Sequence, residues 1–351
     1  MEDGEMVRLA ELTTLRVGGP ARRHVTASTA DELVAAVRAA DQAGEPLLLV
    51  GGGSNLVVGD AGFDGTVVQI TSRGITVHSV DYCGGAEITV EAGHPWDEVV
   101  ARAVAEGWTG VEALSGIPGS TGATPVQNVG AYGQEVSGTI SAVRTYDRVE
   151  QKIRTLAATD CRFAYRDSLF KRERHLGGPR YVVLSVSFQF VVGDYSEPLR
   201  YAELARSLKA GIDERVPLAK VRESVLKLRA GKGMVLDPDD HDTWSAGSFF
   251  TNPVLPAEQA AALPPEAPRF DAGDGRVKTS AAWLIDHAGF PKGFGLPGPA
   301  SLSTKHTLAL TNRGGAGAAD VLDVARQVRD GVAKIYGVRL VPEPELIGCE
   351  I

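Results

Sequence analysis

The sequence predicts an α+β fold arranged in three units. Three observations predict it. The 351 residues exceed what one hydrophobic core usually serves. A short helix–strand segment precedes a long stretch of β-rich runs. The last third mixes short strands with two helical patterns. The expected boundaries are residues 1–71, 72–222 and 223–345, with residues 346–351 returning to the first unit.

In the first unit, Asp31 and Glu32 open a helical pattern with Leu33, Val34, Val37 and Ala40 on one stripe, and Gly44 stops it. The apolar run from Leu47 to Val50 has the length of a buried strand and leads directly into Gly51-Gly52-Gly53-Ser54-Asn55. In the second unit, residues 75–80, 88–92, 142–146 and 181–192 read as strands. Trp96, Val99, Val100, Ala103 and Val104 mark one helix face, and Asp97 and Glu98 suit its first turn. Between Ser115 and Glu135 lies a Gly/Pro/Ser/Thr stretch without periodicity, a length of loop that is usually functional or disordered. In the third unit, helices are expected over about 279–287 and about 319–336. The second carries the stripe Val321, Leu322, Ala325, Val328, Val332 and Ile335, with Gly337 as its cap. Residues 255–268, with four prolines, read as surface loop.

Hydrophobic residues at 43% and charged residues at 23% fit a soluble globular protein. The net charge of −8, from 36 basic and 44 acidic residues without a basic block, argues against a nucleic-acid surface. Cys83, Cys161 and Cys349 form neither a disulfide framework nor a CxxC metal site. No run approaches the roughly 20 apolar residues of a spanning helix, so no membrane insertion is expected, and a reducing cytoplasm is the simplest setting. The seven histidines lack ligand spacing, and no metal is expected.

Glycine lets backbone N–H groups approach a phosphate, and consecutive N–H groups form anion nests. The segment from Gly51 to Asn55 suits such a nest, although a tight turn is an equal reading of those five residues alone. It is not GxGxxG, which disfavours a Rossmann site. The run from Ser115 to Gly133 is dense in small and hydroxyl residues and carries two adjacent amides, Gln127 and Asn128. That density of hydrogen-bonding groups suits an extended, phosphate-bearing ligand.

The Gly51–Asn55 turn, the segment Ala92-Gly93-His94-Pro95-Trp96 and the loop from Ile117 to Gly133 resemble the FAD-binding domain of vanillyl-alcohol-oxidase-like flavoproteins. More narrowly, they resemble the UDP-N-acetylenolpyruvoylglucosamine reductases. Three later segments extend the resemblance from Thr14 to Gly348: Phe163-Ala164-Tyr165-Arg166-Asp167-Ser168, Ala246-Gly247-Ser248-Phe249-Phe250-Thr251-Asn252-Pro253 and Pro342-Glu343-Pro344-Glu345. The resemblance implies a two-lobed FAD-binding fold (vanillyl-alcohol-oxidase/PCMH-like) with a third, α+β substrate-binding domain.

It further implies FAD contacts from Val50, Gly51, Gly52, Gly53, Ser54, Asn55 and Leu56 in the first loop. The second loop would contribute Gly116, Pro118, Gly119, Ser120, Gly122, Ala123, Thr124, Gln127, Asn128, Gly130, Ala131 and Tyr132, and Arg229 would approach the flavin. Relatives that bind FAD covalently use a histidine in the first loop; Ser54 stands in this one, so non-covalent FAD is expected.

The implied reaction is an NADPH-dependent reduction of a UDP-sugar enolpyruvyl ether in cell-wall precursor synthesis. Hydride would pass from NADPH to FAD, and then to the terminal carbon of the double bond. The resemblance assigns Arg166 and Glu345 to the charge that develops on the substrate carboxylate, with Glu345 acting as an acid buried beside the substrate, and Ser248 to protonation of the adjacent carbon. Taken singly, each has a plainer reading: Arg166 as a surface ion pair with Asp167, Ser248 as a turn residue, Glu345 as a solvated edge charge. Substrate contacts are expected from Tyr165, Tyr201, Lys232, Gly247, Asn252, Lys278 and His287, Tyr201 lying in an insert that closes over the diphosphate. The stretch after Lys232 is longer than the family pattern. A monomer or weak oligomer is expected. A flavin oxidase of the wider superfamily shares the FAD loops but does not account for the Ser248 and Glu345 segments. A non-catalytic nucleotide-binding module accounts for still fewer.

Overall fold

The computed structural model describes residues 7–351. Two compact units emerge, each built from discontinuous segments. One comprises the residues up to Pro20 with Gly53–Phe63 and Gly231–Ile351; the other comprises Ala21–Gly52 and Asp64–Ala230. Compared with the boundaries 1–71, 72–222 and 223–345, this grouping places residues 53–63 with the C-terminal third. The change of unit falls inside the glycine-rich turn, between Gly52 and Gly53.

The unit holding Ala21–Gly52 and Asp64–Ala230 is built on two main sheets. In the smaller, Phe63–Ile70 lies between Ala21–Ala27 and Leu47–Val50, and Leu47–Val50 runs parallel to residues 66–69. The helix Ala30–Gln42 begins where Thr29 Oγ1 accepts the Glu32 N–H at 3.2 Å and the Glu32 carboxylate accepts from the Ser28 N–H and hydroxyl. Leu33, Val34, Val37 and Ala40 face inward as the periodicity predicts. Burying a leucine or valine in this way stabilises by about 1.5–3 kcal/mol.

The larger sheet is antiparallel, in the order Lys152–Ala157, Ile140–Asp147, Tyr181–Val192, Gly85–Glu91, Ile75–Asp81. Its central strand is covered on both faces. Val182 and Leu184 enter the core beneath the helix Ala30–Gln42, while Tyr181 and Val183 enter the core beneath the helix Trp96–Ala105. Arg148 is buried beside this sheet with all three of its side-chain nitrogens engaged, by the Asp41 carboxylate and the His175 and Pro179 carbonyls.

In the other unit, Ala309–Asn312 pairs with Ser245–Ser248 on one side and Ala300–Leu302 on the other, all antiparallel. The helix Ala318–Tyr336 buries Val321, Leu322, Ala325, Val328 and Val332 against this unit's core. Its first turn is capped by a distant side chain, Asp60, whose carboxylate accepts the Ala318 and Ala319 N–H groups at 2.7 and 3.0 Å. Gly337 ends it in the left-handed conformation at φ 66°. Glu345–Ile347 runs parallel to Leu56–Val58.

Two sequence expectations need correction here. Ile335 is exposed, and in the last turn of its helix it is the next residue, Tyr336, that packs against the core. Residues 255–268 are not mainly surface loop: they contain the strand Val254–Pro256 and the helix Ala257–Ala261, and they bury Leu255, Ala260, Leu263 and Ala267. The prolines there enter a helix and a turn, and the Arg269 guanidinium collects the carbonyls of Ala260, Leu263, Pro264, Pro265 and Ala267. Two further helices, Ala202–Leu208 and Leu218–Gly231, carry no clear stripe in the sequence. Among the described residues, no helix is long and apolar enough to cross a membrane.

Candidate active site

The two glycine-rich loops meet backbone to backbone within the unit formed by Ala21–Gly52 and Asp64–Ala230. A Cβ on Gly51 would stand 2.1 Å from Ser120 Oγ, and one on Gly52 would stand 2.6 Å from Gly119 Cα. Only glycine allows this approach. Gly116 and Gly119 adopt φ of 71° and 118°, as a tight, glycine-dependent path requires.

The second loop is fixed from behind by residues 92–97. Gly119 carbonyl accepts the Trp96 N–H, His94 carbonyl accepts that of Thr121, and Ala92 carbonyl accepts that of Gly122. Asp97 Oδ1 accepts the Gly116 N–H at 2.6 Å, and the same carboxylate takes two hydrogen bonds from Arg222, at 2.7 and 2.8 Å. Desolvation alone would raise the Asp97 carboxyl, but Arg222, the Gly116 N–H and the charge of Arg229 together hold it below the usual carboxylate range. A preorganised pair of glycine backbones at Gly51–Gly52 and Gly119 fits a phosphate-bearing group held by main-chain N–H groups.

The rest of the second loop forms a short hairpin, Gly130–Ala131 against Gln134–Glu135. Asn128 sits at φ 47° and is almost wholly buried. Its amide donates to Glu135 Oε2 at 2.8 Å and to the Ala164 carbonyl at 3.1 Å, while its oxygen accepts the Ser137 N–H. These contacts hold the tight turn in which Ala164 and Asp167 exchange backbone hydrogen bonds and Arg166 takes φ 55°. Arg166 Nη2 donates to the Gly130 carbonyl at 2.7 Å, and its guanidinium lies 5.1 Å from the Tyr165 ring centroid. Asp167 pairs with Arg172. Non-glycine residues in the left-handed region cost energy and gather at functional sites; Asn128, Tyr132 and Arg166 all do so within this one cluster.

Tyr132 meets Tyr201 edge to face, with ring centroids 5.5 Å apart. Burial pushes the Tyr132 phenol up to about 12, with Arg229 partly opposing. Burial likewise pulls the Arg229 guanidinium down, against the attraction of Tyr132 and Asp97. Arg229 lies on the helix Leu218–Gly231, inward with Leu218, Val221 and Val225.

In the other unit, three motifs far apart in sequence converge. Ser248 ends a bulged strand and Gly247 before it has φ 75°. The Phe249 carbonyl, one residue on, accepts the Glu343 N–H at 2.8 Å. Asn55 of the glycine-rich turn then holds this segment at two points: its carbonyl accepts the Glu345 N–H at 3.0 Å, and its amide donates to the Glu343 carbonyl at 3.4 Å. Glu345 itself is exposed rather than buried. Lys232 is half-buried just beyond the helix Leu218–Gly231. Lys278 is half-buried in a strand opposite Val254 and Phe270. Asn252 Oδ1 accepts the Ala281 N–H, and the exposed His287 stacks on Trp283 at 3.9 Å, so both serve the helix Ala281–His287.

Arg222, Glu112 and Gln134 were not singled out by sequence reasoning. Arg222 lies 125 residues from its partner Asp97, and no local pattern announces such a pair.

Comparison with known proteins identifies the family. A family model described as FAD binding domain matches residues 21–149. A second, described as the C-terminal domain of UDP-N-acetylenolpyruvoylglucosamine reductase, matches residues 237–347. A protein of that name from Cutibacterium acnes is 59% identical, covering 100% of this chain and 92% of its own length. One from Thermobifida fusca is 56% identical, with 98% of each chain covered. The crystal structure of the enzyme of that name from Thermus caldophilus aligns over 98% of both chains with a TM-score of 0.66 and 25% identity. With relatives this similar along its whole length, and with both the FAD-binding and the C-terminal reductase domains in order, the chain belongs to the UDP-N-acetylenolpyruvoylglucosamine reductase family of oxidoreductases.

Proposed function

We propose that the protein reduces the enolpyruvyl ether of a UDP-N-acetylglucosamine derivative to UDP-N-acetylmuramate, using NADPH and non-covalently bound FAD, in the cytoplasm. The observation that carries this reading is the convergence of the Ser248 strand, the Glu343–Glu345 segment and Asn55 of the glycine-rich turn. An FAD-binding oxidase has no need of that set.

Bound FAD, held by the Gly51–Gly52 and Gly119–Ser120 backbones and reduced by NADPH, would supply the hydride for the terminal carbon of the double bond. The remaining work falls to side chains. Arg166, a permanent cation in a constrained turn, offsets the negative charge that develops on the substrate carboxylate. Glu345 acts with it as an acid; because it is exposed, the substrate must provide its burial. Ser248 gives its hydroxyl proton to the adjacent carbon, which as an enolate-like centre is a strong enough base to take it. Tyr201 and Lys232 bind the diphosphate, Tyr165 and Gly247 line the reacting end, and Asn252, Lys278 and His287 act as outer substrate contacts.

Anaerobic stopped-flow absorbance tests this reading. The yellow holoprotein is reduced with NADPH and mixed with the enolpyruvyl UDP-sugar. Rapid recovery of oxidised flavin, stoichiometric with substrate, is expected. Reduced flavin that ignores this substrate and reoxidises only with oxygen would overturn the reading.

A further inference from the structure

Glu112 is a wholly buried carboxylate that the proposed chemistry does not use. Three donors converge on it: the Gly110 N–H at 2.7 Å on Oε2, and Gln134 Nε2 at 2.9 Å and the Glu197 N–H at 2.8 Å on Oε1. All three are neutral. Gln134 is held in orientation from its other end, since its Oε1 accepts the Ala113 N–H at 2.8 Å. A carboxylate is the side chain suited to this place, because it accepts at both oxygens and donates at neither.

Two of the donors belong to different parts of the candidate site. Gln134 lies in the hairpin of the second glycine-rich loop, two residues from Tyr132. Glu197 lies in the insert that carries Tyr201. That insert closes on itself through Ser196 N–H to Val216 carbonyl, Leu199 N–H to Glu214 carbonyl and Asp213 N–H to Leu199 carbonyl. Beneath it, Ala113 packs with Leu199, Leu204, Ala205, Val221 and Val225. Polar clamp and apolar seat therefore sit side by side at residues 112 and 113, and together they fix where Tyr201 meets Tyr132.

We propose that Glu112, with Gln134, is a positioning residue for the proposed reaction: it joins the Tyr201 insert to the second glycine-rich loop and so sets the affinity for the UDP-sugar. This rests on the proposed role of Tyr201 as a substrate contact. Glu112→Gln would turn an NH2 toward at least one existing donor, leaving that donor unmatched in a buried place.

The test uses the FAD holoenzyme. In Glu112→Gln, KM for the UDP-sugar is expected to rise about tenfold, the equivalent of one hydrogen bond to a charged group, while kcat changes less than about threefold. Hydrogen exchange of residues 196–216 should accelerate with FAD content unchanged. In a Tyr201→Ala background the KM effect of Glu112→Gln should vanish, because the residue acts through Tyr201. Gln134→Ala, milder for folding, should reproduce the pattern more weakly. An undiminished KM effect in the Tyr201→Ala background, or unchanged exchange of residues 196–216 in both variants, would overturn the proposal. If Tyr201→Ala alone leaves KM unchanged, the substrate-contact reading of Tyr201 fails and this proposal with it, whereas the stopped-flow result above bears separately on the reaction.

Discussion

Arg166 Nη2 donates to the Gly130 carbonyl at 2.7 Å. The cation proposed to face the substrate carboxylate is thus tethered to the loop proposed to contact FAD. Asn128 holds the same turn from the other side, through the Ala164 carbonyl. The second glycine-rich loop and the Arg166 guanidinium are therefore set in place by one local network.

Arg166→Lys should lower kcat/KM for the UDP-sugar by about 10²–10³-fold, the range found when one preorganised donor to a developing charge is lost. Flavin content should remain at the native level. Steady-state kinetics with the visible spectrum of the purified variant checks both.

Ser248→Ala should leave flavin reduction by NADPH intact and slow reoxidation by the enolpyruvyl substrate by at least about 100-fold, the lower range for loss of a general acid. Single-turnover absorbance separates the two half-reactions. Equal slowing of both would point to a binding defect instead.

Gly52→Ala should yield protein with reduced flavin occupancy. Its Cβ would stand 2.6 Å from Gly119 Cα, so the two loops must separate at a cost of about 1–3 kcal/mol. The ratio of flavin to protein after gel filtration, and FAD titration of the apoprotein, measure the loss.

Asp97→Asn should destabilise the protein in a pH-dependent way. The Asp97 carboxyl is held below its ordinary value when folded, so the unfolded chain binds its proton first as pH falls. Its contribution is fully present above the unfolded value near ~3.9 and is lost as pH drops through the lower folded value. The stability gap between native and variant protein should be constant above about pH 5 and shrink below about pH 4. Urea unfolding across that range reads it directly.

What was legible in the sequence follows from how local each feature is. The helix Ala318–Tyr336 announces itself because its buried residues recur at helical spacing with a glycine at the end. The helix Leu218–Gly231 does not, because its inward stripe includes Arg229, a charge where the pattern calls for an apolar residue. Prolines near residue 264 suggested loop, yet two elements and four buried residues lie in that stretch, supported by an arginine that follows it. The glycine-rich loops could be read directly, since close backbone approach leaves a compositional mark. The supports that aim them could not: Asp97 with Arg222, and Glu112 with Glu197, are pairings between distant segments whose residue types look ordinary in isolation.

The parallel pairing of Glu345–Ile347 with Leu56–Val58 sets an order of events for biosynthesis. Leu56–Val58 has its partner only once Glu345–Ile347 has been translated, and closing so long a loop is entropically slow. Until then Leu56–Val58 exposes an unpaired edge, and Asp60 has no helix end to cap. The segment Gly53–Phe63 should thus be protease-sensitive and chaperone-accessible in nascent chains long after its neighbours in sequence have folded.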